Sequence, residues 1–338
     1  MIIVLKLQPS PADVEAVEKS VRELGYEPHR IVGEVRTVIA CIGDETTHKS
    51  LESLATLPMV ESVMPVQKKF KLISRETHPE PALVKVAGLV IGGNTVHIVG
   101  GPCSVESREQ ILVTARAVKA AGGSMLRGGA YKPRTSPYDF QGLGEPGLAL
   151  LKEARDETGL PVITEVVSEM DMAKVAAVAD VLQIGARNGL NYSLLSAAAD
   201  TGKPILLKRG MMATISEWLL AAEYIAKRSN RGIILCERGI RTFETATRNT
   251  LDLSAVAVAK KETCLPVFVD PTHAAGRLDL IEPLSKAAIA VGADGLLVEV
   301  HPDPKRALSD AAQQMLPEAF VHLMQVVRPI VSAVGRTM

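Results

Sequence analysis

Residues 204–236 read PILLKRGMMATISEWLLAAEYIAKRSNRGIILC. A short apolar run, Pro204–Lys208, is followed by a helical pattern and a second short apolar run, Ile233–Cys236. Neither run alternates apolar with polar residues, so each reads as a strand buried on both faces, the mark of a parallel sheet. The same signal recurs near His97–Gly100, Ser124–Arg127, Val162–Glu165, Val181–Ile184, Val267–Asp270 and Gly295–Val300, with helical patterns between. Eight such strands predict a closed (β/α)8 barrel rather than an open sheet. A last helix is expected from Asp310 to about Val334, and a hairpin over Val90–Val96 around a Gly92-Gly93-Asn94 turn.

Upstream the rhythm changes. Ile2–Leu7 is apolar, and Ser10-Pro11-Ala12-Asp13 is a helix start with Ser as cap and Pro at the first helical position. Val14, Val17, Val21 and Leu24 then recur at helical spacing, and Gly25 ends them. Val35–Ile42 reads as a strand, Leu51, Leu54 and Leu57 as a second helical stripe ended by Pro58, and Val60–Val66 as a last strand. The order βαββαβ is ferredoxin-like. The chain thus divides into a small α+β domain (1–66), a polar linker (67–85, with Lys68, Lys69, Lys71, Pro79 and Pro81) and an α/β barrel (86–338).

Composition narrows the function. Lys+Arg and Asp+Glu are equal at 38 each, which argues against nucleic-acid binding through bulk charge. No apolar run approaches the roughly 20 residues of a membrane helix, and Met1–Lys6 shows no secretory leader. A cytoplasmic location is expected. The four cysteines, Cys41, Cys103, Cys236 and Cys264, are far apart and read as reduced thiols. Aromatics are only 3%, so aliphatic side chains must fill the core.

In a (β/α)8 barrel the carboxyl ends of the strands face the active site. Read at those ends, the sequence offers two chemistries. Arg127, Lys132, Arg134, Arg187, Lys208 and Arg238 are cations that would repel one another in a pocket unless anions neutralised them. Arginine also presents a planar fork suited to phosphate and carboxylate oxygens. Any one of them could be a solvated rim residue, since charged side chains are mostly exposed; six at strand ends point to a multiply charged substrate. Cys103, His273, Glu299 and Asp310 offer a thiol, an imidazole and two carboxylates from strands 1, 7 and 8 and the next loop, which are neighbours in a closed barrel. That mixture suits one divalent ion of the Mn, Fe, Co or Zn class better than Mg, which avoids sulfur. A lone buried cysteine is more often a small core residue, and only the barrel closure would gather these four.

The strings GPCSVE (101–106), LRGGAYKPRTSPY (126–138), FQGLG (140–144), QIGARN (183–188), LLKRG (206–210), ILCERGIRTFE (234–244), TRNTLDLSAV (247–256), DPTH (270–273) and VEVHP (298–302) resemble those of the 3-deoxy-D-arabino-heptulosonate-7-phosphate (DAHP) synthases. The subtype is the one that includes the 3-deoxy-D-manno-octulosonate-8-phosphate synthases. Residues 1–66 resemble the ferredoxin-like extension that some members carry. The resemblance implies a condensation of phosphoenolpyruvate with erythrose 4-phosphate, at the start of aromatic amino-acid biosynthesis. It matches Cys103, His273, Glu299 and Asp310 to the family's metal ligands, and Arg127, Lys132, Arg187, Lys208 and Arg238 to its phosphoenolpyruvate contacts. Arg134 and Thr135 match the contacts to the sugar phosphate. Lys132 and His273 are candidates to move protons, and Glu165 to orient the attacking water.

The octulosonate enzymes carry a longer K-A-N-R-S/T-S loop for five-carbon arabinose 5-phosphate, the alternative substrate, whereas this chain has KPRTS at 132–136. One departure is Ala274-Ala275 after DPTH, where members commonly have Ser or Gly. Feedback inhibition by Tyr or Phe at the amino-terminal domain, with His29 at an effector-contact position, and a homotetramer are further expectations. Rival readings are a Schiff-base aldolase using Lys208, and an amino-acid sensor on a degenerate barrel.

Overall fold

Eight strands with almost no solvent exposure can satisfy their backbone only by pairing with one another, and closure removes the two edges an open sheet would leave. In the computed structural model, which describes residues 1–33, 36–43, 48–64, 70–134 and 136–338, they do so. The strands are β7 (His97–Gly101), β8 (Met125–Arg127), β9 (Val162–Glu165), β10 (Val181–Ile184), β11 (Ile205–Lys208), β12 (Ile233–Glu237), β13 (Val267–Val269) and β14 (Gly295–Glu299). They form a closed parallel barrel in which β14 pairs with β7. The chain divides into two compact units, Met1–Lys69 and Phe70–Met338, and the barrel lies in the second.

Helices between the strands cover the outside. They are α2 (Arg108–Ala120), α3 (Glu145–Thr158), α4 (Met172–Val178), α5 (Tyr192–Asp200), α6 (Ile215–Lys227), α7 (Leu253–Glu262), α8 (Pro271–Ala275), α9 (Leu278–Ala290) and α10 (Pro317–Ala333). Helix α6 shows the local logic. Thr214 and Glu217 form a capping box at its start, satisfying backbone N–H groups that have no helical partner. Trp218, Leu219, Ala222, Ile225 and Ala226 then bury one face, each large apolar side chain contributing about 1.5–3 kcal/mol. Trp218 Nε1 donates to the Leu207 carbonyl, joining the helix to the strand before it.

The amino-terminal mouth of the barrel is plugged by a hairpin, β5 (Val84–Val86) and β6 (Leu89–Ile91). Its turn is Ala87–Gly88, both at positive φ (42° and 89°), the conformation a two-residue hairpin demands. The expected Gly92-Gly93-Asn94 turn is therefore displaced. Gly92 serves a close approach instead, since a Cβ there would meet the Ala82 carbonyl oxygen at 2.3 Å. Val84, Val86 and Ile91 pack with Val99, Met125, Ile163, Val181, Leu206, Ile234, Phe268 and Leu297 from inside the barrel.

Two further expectations are corrected. The last helix starts at Pro317, not Asp310: Asp310 has φ 46° and ψ 37°, outside the helical region, and precedes only a 3-10 turn. From Phe70 onward, the stretch read as a linker belongs to the second unit, with Phe70 and Ile73 in its core.

The first unit is an antiparallel sheet of order β2-β3-β1-β4, built from β1 (Ile2–Leu5), β2 (Glu27–Val32), β3 (Thr37–Ile42) and β4 (Val60–Met64). Its helix α1 (Pro11–Glu23) has Ser10 and Asp13 as a capping box and buries Val14, Val17 and Val21 against Ile3, Leu5 and Ile39. The second stripe, Leu51–Thr56, is a 3-10 helix rather than an α-helix; six residues give too few α-type hydrogen bonds to offset nucleation. The expected strand residues Val35 and Val66, and Lys68 and Lys69, lie outside the described residues.

Candidate metal centre and anion pocket

Side chains on a strand repeat every two residues. Moving two residues toward the carboxyl end from the apolar layer Met125, Ile163, Val181, Leu206, Phe268 and Leu297 reaches Arg127, Glu165, Gln183, Lys208, Asp270 and Glu299. The layer above the apolar one is thus almost wholly polar, yet each of these side chains is buried.

At one side of this layer Cys103, His273, Glu299 and Asp310 each present a donor atom, and all four atoms lie within 4.8 Å of one another. Cys103 follows β7, His273 sits on α8, Glu299 ends β14 and Asp310 lies in the loop beyond it. The Cys103 sulfur is 3.5 Å from Asp310 Oδ2, and His273 Nε2 is 3.3 Å from Glu299 Oε1 and 3.8 Å from Asp310 Oδ2. Asp270 caps α8 by accepting from the His273 backbone N–H, and its other oxygen lies 2.7 Å from His273 Nδ1. That leaves Nε2 turned toward the other three donors, the usual orientation of a metal-binding imidazole.

The electrostatics favour a cation here. Burial, with Glu299 adding to it, pushes the Cys103 thiol up to about 11 against the pull of Lys132. Burial lowers His273 against the pull of Asp270 and Glu299. Burial would raise Glu299 and Asp310, but His273 with Arg127 for the former, and His273 with Arg248 for the latter, hold both carboxyls below the usual range. Two carboxylates, an imidazole and a buried thiol that only a nearby cation would ionise fit a divalent transition ion.

Beside this set lies a cavity lined by Arg127, Lys132, Arg134, Glu165, Arg187, Lys208, Arg238, Arg248, His273 and Asp310, with Gln183 and Met211. Every cation expected from the strand ends is present. Thr135 lies outside the described residues. Arg127 donates to Glu299 Oε1 at 2.8 Å and to Gln183 Oε1 at 3.3 Å. Gln183 in turn donates to Glu165 Oε2 at 3.1 Å. Glu165 can occupy this place because Gly185 has no side chain, since a Cβ there would lie 1.9 Å from Glu165 Oε1.

Lys132 folds back over Gly129, and its Nζ lies 3.0 Å from the Cys103 carbonyl and 3.1 Å from the Cys103 sulfur. Lys208 donates to Asp270 Oδ2. Arg238 is buried and donates to the His273 carbonyl. Arg134 pairs with Asp139 at 3.3 Å. The substituted Ala274 and Ala275 are fully buried in α8, and Gly276 ends that helix at φ 65°. The tight turn is thus retained.

Four residues of this site were given no role by the strand-end reading: Asp270, Gln183, Arg248 and Gln313. Asp270 and Arg248 stood inside the strings DPTH and TRNTLDLSAV, and Gln183 was recoverable from the two-residue step above Val181. Gln313 had no signal. It donates to Glu299 Oε2 at 2.7 Å, and both it and Asp310 receive Arg248 NH1.

The family profile described as "DAHP synthetase I family" matches residues 71–333, and "DAHP synthase ferredoxin-like domain" matches residues 1–68. The chain belongs to the DAHP synthetase I family. It is 52% identical over 335 residues to the phospho-2-dehydro-3-deoxyheptonate aldolase of Thermotoga maritima, covering 99% of each chain. The crystal structure of that aldolase, a DAHP synthase, superposes with a TM-score of 0.93 at 51% identity, covering 99% of this chain and 98% of that one. A 2-dehydro-3-deoxyphosphooctonate aldolase of Syntrophotalea carbinolica is 34% identical, covering 70% of this chain and 91% of that one. Family membership makes this chain an enzyme, a transferase of the DAHP-synthase type carrying out the family's aldolase reaction in the shikimate pathway. Among the described residues, no helix is long and apolar enough to cross a membrane.

Proposed function

We propose that the enzyme condenses phosphoenolpyruvate with D-erythrose 4-phosphate and water to give 3-deoxy-D-arabino-heptulosonate 7-phosphate and phosphate. The observation that carries this reading is a four-donor cluster of Cys103, His273, Glu299 and Asp310 opening onto a cavity ringed by Arg and Lys. Two phosphorylated substrates, one also a carboxylate, supply the negative charge such a ring needs. The short KPRTS loop favours the four-carbon aldehyde over arabinose 5-phosphate.

A divalent ion held by the four donors would polarise the aldehyde carbonyl as a Lewis acid. Arg127, Lys132, Arg187, Lys208 and Arg238 bind the phosphate and carboxylate of phosphoenolpyruvate, and Arg134 and Thr135 the phosphate of the sugar. Held in this way, C3 of phosphoenolpyruvate attacks the aldehyde carbon, water adds at C2, and phosphate leaves by C–O cleavage. Much of the rate enhancement comes from this positioning and from charge already in place. His273 has Nδ1 committed to Asp270 and Nε2 to the ligand set, so proton transfer falls to Lys132, whose Nζ is at the edge of that set. Glu165, held by Gln183, orients the water.

The ferredoxin-like domain (1–66) is read as the regulatory module and 86–338 as the catalytic barrel. Its edge strand β2 leaves His29, Ile31 and Val32 exposed, as pairing between copies around a Tyr or Phe effector requires. A homotetramer is the assembly this reading carries. The test is consumption of phosphoenolpyruvate with four- and five-carbon sugar phosphates, with and without chelator. Activity with erythrose 4-phosphate should vanish on chelation and return with Mn or Co. Chelator-resistant turnover, or a preference for arabinose 5-phosphate, would overturn the reading. Removal of 1–66 should abolish inhibition by Tyr or Phe.

A further inference from the structure

Two of the motif strings contribute residues that neither the donor set nor the cation pocket uses: Glu106 in GPCSVE, partly buried, and His301 in VEVHP, buried. Their side chains meet. Glu106 Oε2 lies 3.3 Å from His301 Nε2, while Glu106 Oε1 accepts from the Leu308 backbone N–H at 2.9 Å and the Ser104 hydroxyl at 3.1 Å. His301 Nδ1 accepts from the Asp303 backbone N–H at 3.0 Å. That bond assigns the tautomer: with Nδ1 as acceptor, the proton is on Nε2 and points at Glu106.

The network joins only two segments, and each carries a proposed ligand. Ser104 follows Cys103 and Ser309 precedes Asp310, and the two serine oxygens are 2.6 Å apart. Gln314 adds a second clasp, accepting from the Cys103 backbone N–H at 2.9 Å and donating to the Ser309 carbonyl at 2.8 Å. Asp310 needs such support. It is not on the barrel, and its left-handed backbone (φ 46°) is a conformation that persists in a non-glycine residue only when its surroundings over-determine it.

We propose that Glu106, His301, Ser104 and Ser309 form a latch that sets Asp310 against Cys103, and so act as positioning residues for the four-donor set. The latch rests on reading that set as a metal site. Its members touch no donor atom of the set; they fix where two of the four donors stand. Partners that orient ligands in this way are typically worth about 10–100-fold in metal affinity.

The test titrates Co²⁺ into metal-free full-length protein and follows the thiolate-to-cobalt charge-transfer absorption, with thermal melting measured before metal is added. Glu106→Gln keeps an oxygen for Leu308 and Ser104 but sets an amide donor against His301 Nε2–H. We expect Co²⁺ binding weakened about 10–100-fold and a diminished thiolate band, with metal-free melting moved by only a few degrees. Ser309→Ala removes one hydroxyl and should weaken binding by a smaller factor in the same direction. It decides the matter alone if Glu106→Gln does not fold. Affinities within about twofold of native with an unchanged band would overturn the latch. Native protein lacking any thiolate band would overturn the metal reading itself, and the latch with it.

Discussion

The same strands line two different chemistries a few ångströms apart. At the hairpin end the barrel interior is Val99, Met125, Ile163, Val181, Leu206, Ile234, Phe268 and Leu297 closed by Val84, Val86 and Ile91. One pleat further on it is Arg127, Glu165, Gln183, Lys208, Asp270 and Glu299. Both layers are buried, so exposure does not distinguish them. The difference is in how each is held. The lower layer is fixed by volume, which neighbouring side chains can partly redistribute. The upper layer is fixed by partners: Arg127 with Glu299, Lys208 with Asp270, and Gln183 between Arg127 and Glu165. A missing partner there leaves a buried charge uncompensated.

Four substitutions test that contrast. The largest effect is expected from the two fully buried cysteines compared with each other. Cys103→Ser removes a donor of the cluster and should lower bound metal and turnover by more than the ~10–100-fold typical of removing a partner that only orients a ligand. Cys236→Ser, in the barrel wall, should retain its metal. Metal analysis and phosphoenolpyruvate consumption read both, and equal losses would break the contrast.

Next is Arg127→Met, which fills much of the same space but leaves Glu299 without its guanidinium. Breaking a buried pair costs about 3–5 kcal/mol; denaturant unfolding of the metal-free protein measures it, and KM for phosphoenolpyruvate should rise. A loss under about 1 kcal/mol would show that Glu299 is not held by this pair. The smallest effect is expected in the lower layer. Ile163→Val should cost about 0.5–1.5 kcal/mol and leave KM and kcat alone, although Glu165 is two residues away. A shift in kcat would mean that the two layers are mechanically one.

The strand positions were legible because each is a short apolar run whose burial on both faces leaves no alternation. The donors and cations were legible because barrel chemistry collects at strand ends. The turn of the plugging hairpin was not. Gly92-Gly93-Asn94 accepts positive φ readily whereas Ala87 does so only at a cost, and packing over the barrel floor nonetheless placed the turn at Ala87-Gly88. Nor was the start of α10, because Asp310 and the residues after it are pulled to Glu299, Cys103 and Arg248 instead of continuing a helix. Gln313 and Gln314 are ordinary polar residues until that loop folds against the strand ends, so nothing local marks them.

By itself the sequence determined the period of the strands, the two-part organisation and the types of atom available at each strand end. These follow from local apolar pattern and residue chemistry. Only the tertiary structure decided which atoms meet. Cys103 and Asp310 are separated by most of the barrel along the chain, and they become neighbours because β14 pairs with β7 and the loop beyond β14 is hydrogen-bonded to the loop after β7. Ring closure is a property of all eight strands together, so no single segment encodes it.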